Sequence, residues 1–263
     1  MSFYLVCVYI LTGLLGLCVG SFLNVVIYRL PKEMSLVVPP SHCTGCGYRL
    51  KWYDNIPLVS YFLVGGRCRR CRERISFRYV TVELLNMLLW LLSVLCFWGE
   101  SPVKAVTTAV ICSCFICIFC IDIEHMLIFN RFINLIALCA IIEMIIDAGG
   151  AFDRIIGALV GGGIFAALYY FSLFALKKEG LGLGDVKLAA SVGLLLGWQR
   201  FILAMLIASV FGSIVLITLN KLSGKNKDTE RPFGPFIVFG AGFAMFFGEA
   251  VISWYLDLIL LLL

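Results

Sequence analysis

The stretch CSCFICIFCID, residues 112–122, decides the fold. Ten of its eleven residues are apolar or small, and the run stops on an aspartate. Such a run belongs in a helix inside hydrocarbon, because no water is needed to satisfy its backbone and no charge has to be desolvated before its end. The rest of the chain has the same character. Its 263 residues are 62% hydrophobic and 14% charged, against roughly half and a quarter in soluble domains. Its mean hydropathy is +1.01. The apolar runs are continuous, unlike the alternating ten-residue segments of an outer-membrane barrel. The reading is an all-α polytopic membrane protein.

Working outward, eight runs approach the ~20 residues a crossing helix needs: 4–28, 80–98, 104–122, 132–147, 154–176, 186–198, 201–219 and 234–256. The fourth and sixth are short. Residues 3–28 lack the basic leader region of a signal peptide and are read as a mature helix. If the N-terminus lies outside, the cytoplasmic segments are 29–79, 122–131, 177–187 and 220–231. They hold eighteen of the 21 Lys and Arg, leaving Lys104, Arg154 and Arg200 outside. The bias predicts an N-out, C-out chain. It also explains the net charge of +5 as membrane topology, with a lipid bilayer as partner and no nucleic acid. The expected organisation is a first transmembrane helix (1–28), a cytoplasmic loop domain (29–79) and a membrane domain (80–263).

The loop between the first two helices carries Cys43-x2-Cys46 and, after 21 intervening residues, Cys68-x2-Cys71. Two such knuckles are the pattern of a four-cysteine zinc site. Each offers two thiolates from one tight turn, and Zn²⁺ takes four soft ligands tetrahedrally. A reducing cytoplasm disfavours the disulfide alternative; a redox dithiol is the competing reading. Four thiolates leave no open position for water, so the metal is structural. Gly45 and Gly47 are expected to relieve the first turn, and Arg67, Arg69, Arg70 and Arg72 to offset the thiolate charge. His42 is read as a solvated bystander. The other eight cysteines lie in or beside apolar runs as small hydrophobes.

Ionisable groups in membrane spans are functional suspects. Asp122 ends the third run, and Asp185 follows Gly182 and Gly184 at the start of the sixth. Taken singly, Asp122 reads as an acid reaching for the interface, and Asp185 reads equally as a helix N-cap or as a catalytic group. Charge counting places both at cytoplasmic helix ends. Two carboxyl groups at one depth can share a proton, one acting as acid and the other as base, which activates water without metal or serine. Glu143 and Glu249 fall toward the opposite face, and Asp147 and Asp153 in an outer loop. A proton-path transporter would need polar residues at mid-membrane and repeat symmetry, and neither is evident.

The chain resembles the bacterial type IV prepilin peptidases, also called prepilin leader peptidase/N-methyltransferases. The resemblance covers nearly the whole chain: GSFLNVVIYRLP (20–31), the knuckles, WYDNIPLVSY (52–61), GRCRRC (66–71), RYVTVELL (78–85), CIDIEHMLI (120–128), GLGDVKLAA (182–190) and PFGPF (232–236). It implies a GxGD-type aspartic endopeptidase of the bacterial cytoplasmic membrane. Asp122 and Asp185 match the catalytic pair, with Gly182, Gly184 and Lys187 in support. The implied substrates are prepilins and pseudopilins, whose short basic leader is cut after glycine on the cytoplasmic side. N-methylation of the new terminus with S-adenosylmethionine is also implied, and so is a zinc-binding loop. Ile128-Phe129-Asn130 stands where the family commonly has Ile/Leu-Pro-Asp, and Arg78-Tyr79-Val80 where it often has Arg-Tyr-Pro. A non-enzymatic zinc-bearing scaffold of a pilus or secretion assembly is the alternative reading.

Overall fold

The computed structural model describes residues 3–175, 177, 181–223 and 231–262. Gly180 and several loop lysines used in the charge reading (Lys178, Lys225 and Lys227) lie outside the described residues. The described elements are α-helices, three short 3-10 turns and isolated bridges. In chain order the helices are α1 (Phe3–Arg29), α2 (Val59–Leu63), α3 (Arg78–Phe97), α4 (Pro102–His125), α5 (Asn130–Ile146), α6 (Ala151–Ala175), α7 (Leu183–Leu196), α8 (Trp198–Ser223) and α9 (Gly234–Leu262). Six of them are long and apolar enough to cross a membrane. The two expected short crossings are α5 and α7, of 17 and 14 residues. Fourteen residues rise about 21 Å against a ~30 Å hydrocarbon core.

The chain divides into two compact units, Met1–Cys117 and Ile118–Leu263. In the first, α1 lies along α3. Glycine spacing on α1 makes this possible: a Cβ on Gly16 would stand 2.9 Å from the Met87 Cα, and one on Gly20 would stand 2.8 Å from the Glu83 Cα. Small residues let helices approach where lipid gives no hydrophobic drive to associate. Asn86, with no exposed surface, then bonds across the seam. Its Nδ2 donates to the Gly16 carbonyl at 2.7 Å, and its Oδ1 accepts the Ser113 hydroxyl at 2.8 Å. The Trp90 indole donates to that hydroxyl at 2.9 Å.

In the second unit α7 packs against α5, α6, α8 and α9. Leu188, Ala189 and Val192 have no exposed surface. The α6–α7 crossing is backbone on backbone. A Cβ on Gly157 would strike the Gly193 carbonyl, and one on Gly193 would strike the Gly157 carbonyl. At the far end of α7, Arg154 is buried. Its guanidinium meets Glu143 at 3.3 Å and the Leu195 carbonyl at 3.5 Å, a cation at a helix C-terminus. Arg154, one of the three basic residues assigned outside, is 6% exposed and lies in the first turn of α6. Asp153, expected in a loop, lies in the same turn against Gly197.

Gly193→Val is expected to destabilise the second unit by about 3 kcal/mol, since neither backbone can yield. Gly163→Ala is the control, because nothing lies within 4 Å of its added methyl. Thermal unfolding in detergent checks both; equal midpoints would count against the crossing.

Candidate active site

Asp122 is the fourth residue from the end of α4, and Asp185 is the third residue of α7. They are 4% and 9% exposed. The chain leaves α4 at Met126, which takes a left-handed φ of 54°. Residues 126–129 turn back before α5, and this returns Ile128 to the start of α7. A Cβ on Gly184 would stand 3.1 Å from the Ile128 side chain. Here the glycine's role is space: a larger residue would push Ile128 off the aspartate helix.

The N-cap of α7 is Gly182, not Asp185; Asp185, at the third helical position, reaches back so that its Oδ2 accepts the Gly182 N–H at 3.2 Å. That bond occupies one oxygen. Asp185 Oδ1 is buried with no partner among the described residues, and so is Asp122 Oδ2. The two carboxyl groups lie within reach of each other's charge. A buried carboxylate oxygen without a donor is costly, and two at one place mark a site kept for something else. The bond to Gly182 and the catalytic reading of Asp185 are therefore compatible, using different oxygens.

Gly234 opens α9 directly beside the Asp122 carboxyl group. A Cβ at this position would stand 2.5 Å from Asp122 Oδ2 and 3.0 Å from Ile128 Cδ1. The positive end of α9 is thus aimed at Asp122. Sequence reasoning quoted PFGPF and CIDIEHMLI but gave neither Gly234 nor Ile128 a role. The only signal was a glycine before a proline at the head of an apolar run, which reads equally as a plain helix start. Of the expected supporting groups, Gly182 and Gly184 touch the site. Lys187 instead donates to Asn130 Oδ1 at 3.3 Å, tying α7 to the first turn of α5.

The loop cysteines come together within the first unit. All four sulfurs lie within 4.8 Å of one another; Cys43 and Cys71 are 3.7 Å apart, and Cys46 and Cys68 are 4.0 Å apart. Four sulfurs at ~2.3 Å around a tetrahedral zinc are about 3.8 Å apart, so the cluster can hold that ion. The knuckles share a design. Cys43 N–H bonds the Tyr48 carbonyl, and Cys68 N–H bonds the Glu73 carbonyl, each at 2.9 Å. The fourth residue after each leading cysteine, Gly47 or Arg72, is left-handed at φ 68° or 59°. The backbone N–H groups of Cys71 and Arg70 hold the Cys68 thiol down at about 7, which favours thiolate. Gly45 has a different role from the one expected: the Glu73 carboxylate fills the place of its missing Cβ. Arg69 is directed to Asp54 at 2.6 Å and to the Tyr53 ring, not to the sulfurs. His42 bonds the Pro40 carbonyl at 3.0 Å, outside the cluster.

Paired buried carboxyl groups on separate apolar helices are the arrangement of a membrane aspartic peptidase. Comparison with known proteins agrees. Residues 14–97 match the Bacterial Peptidase A24 N-terminal domain, and residues 109–217 match the type IV leader peptidase family. The prepilin leader peptidase/N-methyltransferase of Pseudomonas aeruginosa is 33% identical over 279 residues, covering 94% of this chain and 92% of that protein. The protein of the same name from Aeromonas salmonicida is 32% identical over 282 residues, covering 95% and 94%. No solved structure matches. The chain belongs to the type IV leader peptidase family.

Gly234→Val is expected to lower peptidase activity at least about a hundredfold by displacing Asp122, in line with the cost of an ångström of misplacement. The protein should still fold. Steady-state cleavage together with thermal unfolding checks this; wild-type activity would show that α9 does not position the aspartate.

Proposed function

We propose that the chain is a membrane aspartic endopeptidase that removes the short basic leader of prepilins and pseudopilins, cutting after glycine at the cytoplasmic face. The observation that carries the reading is the pair of partnerless, buried carboxyl oxygens of Asp122 and Asp185. Like charges this close do not both ionise, so the pair holds one proton. The ionised aspartate takes a proton from water, and the resulting hydroxide attacks the scissile carbonyl. The protonated aspartate gives its proton to the carbonyl oxygen; as the tetrahedral species collapses, the other aspartate passes the proton it took from water to the leaving amine, and the first recovers its proton from the hydroxyl. The Gly182 N–H holds Asp185, the start of α9 at Gly234 packs against Asp122, and Ile128 adds apolar surface beside both glycines.

The placement at the cytoplasmic face of a bacterial inner membrane rests on the distribution of Lys and Arg. That distribution supports an N-out, C-out chain in which α5 and α7 complete eight crossings. Cys43, Cys46, Cys68 and Cys71 would hold a structural Zn²⁺, which supplies cross-linking to a loop too small for a core of its own. The relatives' names include N-methyltransferase, and we extend that second activity to this chain, with S-adenosylmethionine as methyl donor. The departure at Phe129-Asn130 leaves the dyad intact, since Asn130 faces Lys187.

Asp122→Asn and Asp185→Asn should each lower leader cleavage by at least about a thousandfold while leaving the protein folded, read by mass spectrometry of a prepilin incubated with purified protein. Cleavage at the wild-type rate in either variant would remove the dyad. Metal analysis should find about one zinc per chain in the wild type, falling severalfold in Cys46→Ser; an unchanged metal content would argue against the four-cysteine site.

A further inference from the structure

The cysteine loop carries a short helix whose polarity is inverted for a protein surface in water. In α2, Val59, Phe62 and Leu63 stand at i, i+3 and i+4 and therefore share one face. They are 50%, 68% and 71% exposed, whereas Ser60 and Tyr61 are half-buried. A helix on a soluble domain turns its apolar stripe inward. The stripe of α2 faces out, and neither the aspartate pair nor the cysteine cluster uses it.

Two contacts set the level of α2 against the crossing helix α3. Leu58, just before α2, donates its N–H to Glu83 Oε2 at 2.8 Å, and Glu83 is in the second turn of α3. Farther along α2, the Tyr61 ring meets the Phe77 ring with 6.1 Å between centroids, and Phe77 directly precedes α3. The 20 residues of α3 rise about 30 Å, the thickness of the hydrocarbon core, so its first turn marks the membrane boundary. From Phe77 to Glu83 the helix rises about 9 Å. The short helix α2 therefore lies beside the first turns of a membrane span, at the depth of the headgroups and the outermost acyl carbons. The chain enters it through a tight turn at Leu58, with φ 59° and ψ −54°, closed by the Val59 N–H on the Pro57 carbonyl at 2.6 Å. This is the rare, strained form of the three-residue turn, and the bond to Glu83 holds it.

The charge around α2 fits one kind of surface. Residues 29–79 hold ten Lys and Arg against three acidic residues, and Asp54 is already paired with Arg69. After α2 the chain passes Gly65 and Gly66, both left-handed, to Arg67. Arg67 bridges antiparallel to Arg74, which lies four residues before α3. Both arginines are exposed, and neither has an ion pair among the described residues. An apolar helix face flanked by cations at the membrane boundary is the pattern of an interfacial anchor on anionic lipid. We propose that α2 is such an anchor: Val59, Phe62 and Leu63 sink into the boundary of an anionic leaflet, and Arg67 and Arg74 meet its headgroup phosphates. Cys68 follows Arg67 directly, so the anchor holds the cysteine cluster at the lipid surface. A substrate helix fits the face less well, because it brings apolar surface without negative charge, and the leader proposed above is itself basic. The anchor does not depend on the peptidase reading.

The test uses the full chain in nanodiscs whose lipids carry a photoactivatable diazirine on the acyl chain, in phosphatidylcholine with or without phosphatidylglycerol. Adducts are mapped by proteolysis and mass spectrometry. With phosphatidylglycerol present, residues 59–63 should be labelled at least about fivefold more than residues 44–51 of the same loop. Removing phosphatidylglycerol should lower that labelling at least about threefold, since each cation near an anionic surface adds severalfold to occupancy. Arg67→Gln with Arg74→Gln should have the same effect in the anionic discs. Leu14, Leu15 and Phe22, which α1 turns outward, should be labelled throughout and report an inserted, folded chain. Labelling of α1 with residues 59–63 no higher than residues 44–51, which needs no variant, would overturn the inference. Equal labelling of residues 59–63 in both lipids would overturn the anionic-surface assignment. Loss of their labelling on addition of a peptide of apolar prepilin helix would make the face a substrate surface, and would overturn the anchor as well.

Discussion

Gly157 and Gly193 meet with no room for a methyl group between their backbones, and the placement of the aspartates follows from that contact. The helix α7 is too short and too buried to be anchored by lipid. Its position is set by α6 along one side and by the Arg154–Glu143 pair at its far end. Once α7 is fixed, its first turn can carry Asp185 into a protein interior where no water relieves a stray carboxylate. Asp185 accepts the Gly182 N–H there, and Gly234, at the start of α9, lies against Asp122.

The same economy of backbone donors recurs at the other two polar centres. The cysteine knuckles present their thiolates from turns whose N–H groups point at sulfur, and this lowers the Cys68 thiol. Glu83 holds a loop turn by its Leu58 N–H. In a chain whose elements are mostly surrounded by hydrocarbon, polar atoms need a designed partner. Asp122 and Asp185 each keep one buried oxygen without such a partner among the described residues.

Much of this was legible in the sequence, for physical reasons that differ by element. The long helices were readable because a crossing needs a continuous apolar run, and α4 announces itself in CSCFICIFCID. The cysteine cluster was readable because tetrahedral ligation fixes knuckle spacing. The aspartates were individually ambiguous: Asp185 bonds the Gly182 N–H at the start of α7 and keeps its second oxygen buried without a described partner. Gly234 and Ile128 were not legible as site residues, because their importance lies in what they touch across some hundred residues or within a turned-back loop. The burial of Arg154 was not legible because its partner, Glu143, lies on another helix. Gly45 was read as a turn residue, although its role is to make room for Glu73.

The central claim is that Asp122 and Asp185 act as one proton-sharing unit. The most direct measurement is the pH dependence of kcat/KM for leader cleavage by the wild-type protein at fixed lipid composition. A shared proton requires one acid ionised and one protonated, so the account predicts a bell, falling on the acidic side as the base is protonated and on the alkaline side as the acid is lost. A profile with a single limb, or a flat one, across the range in which the protein stays folded would contradict it.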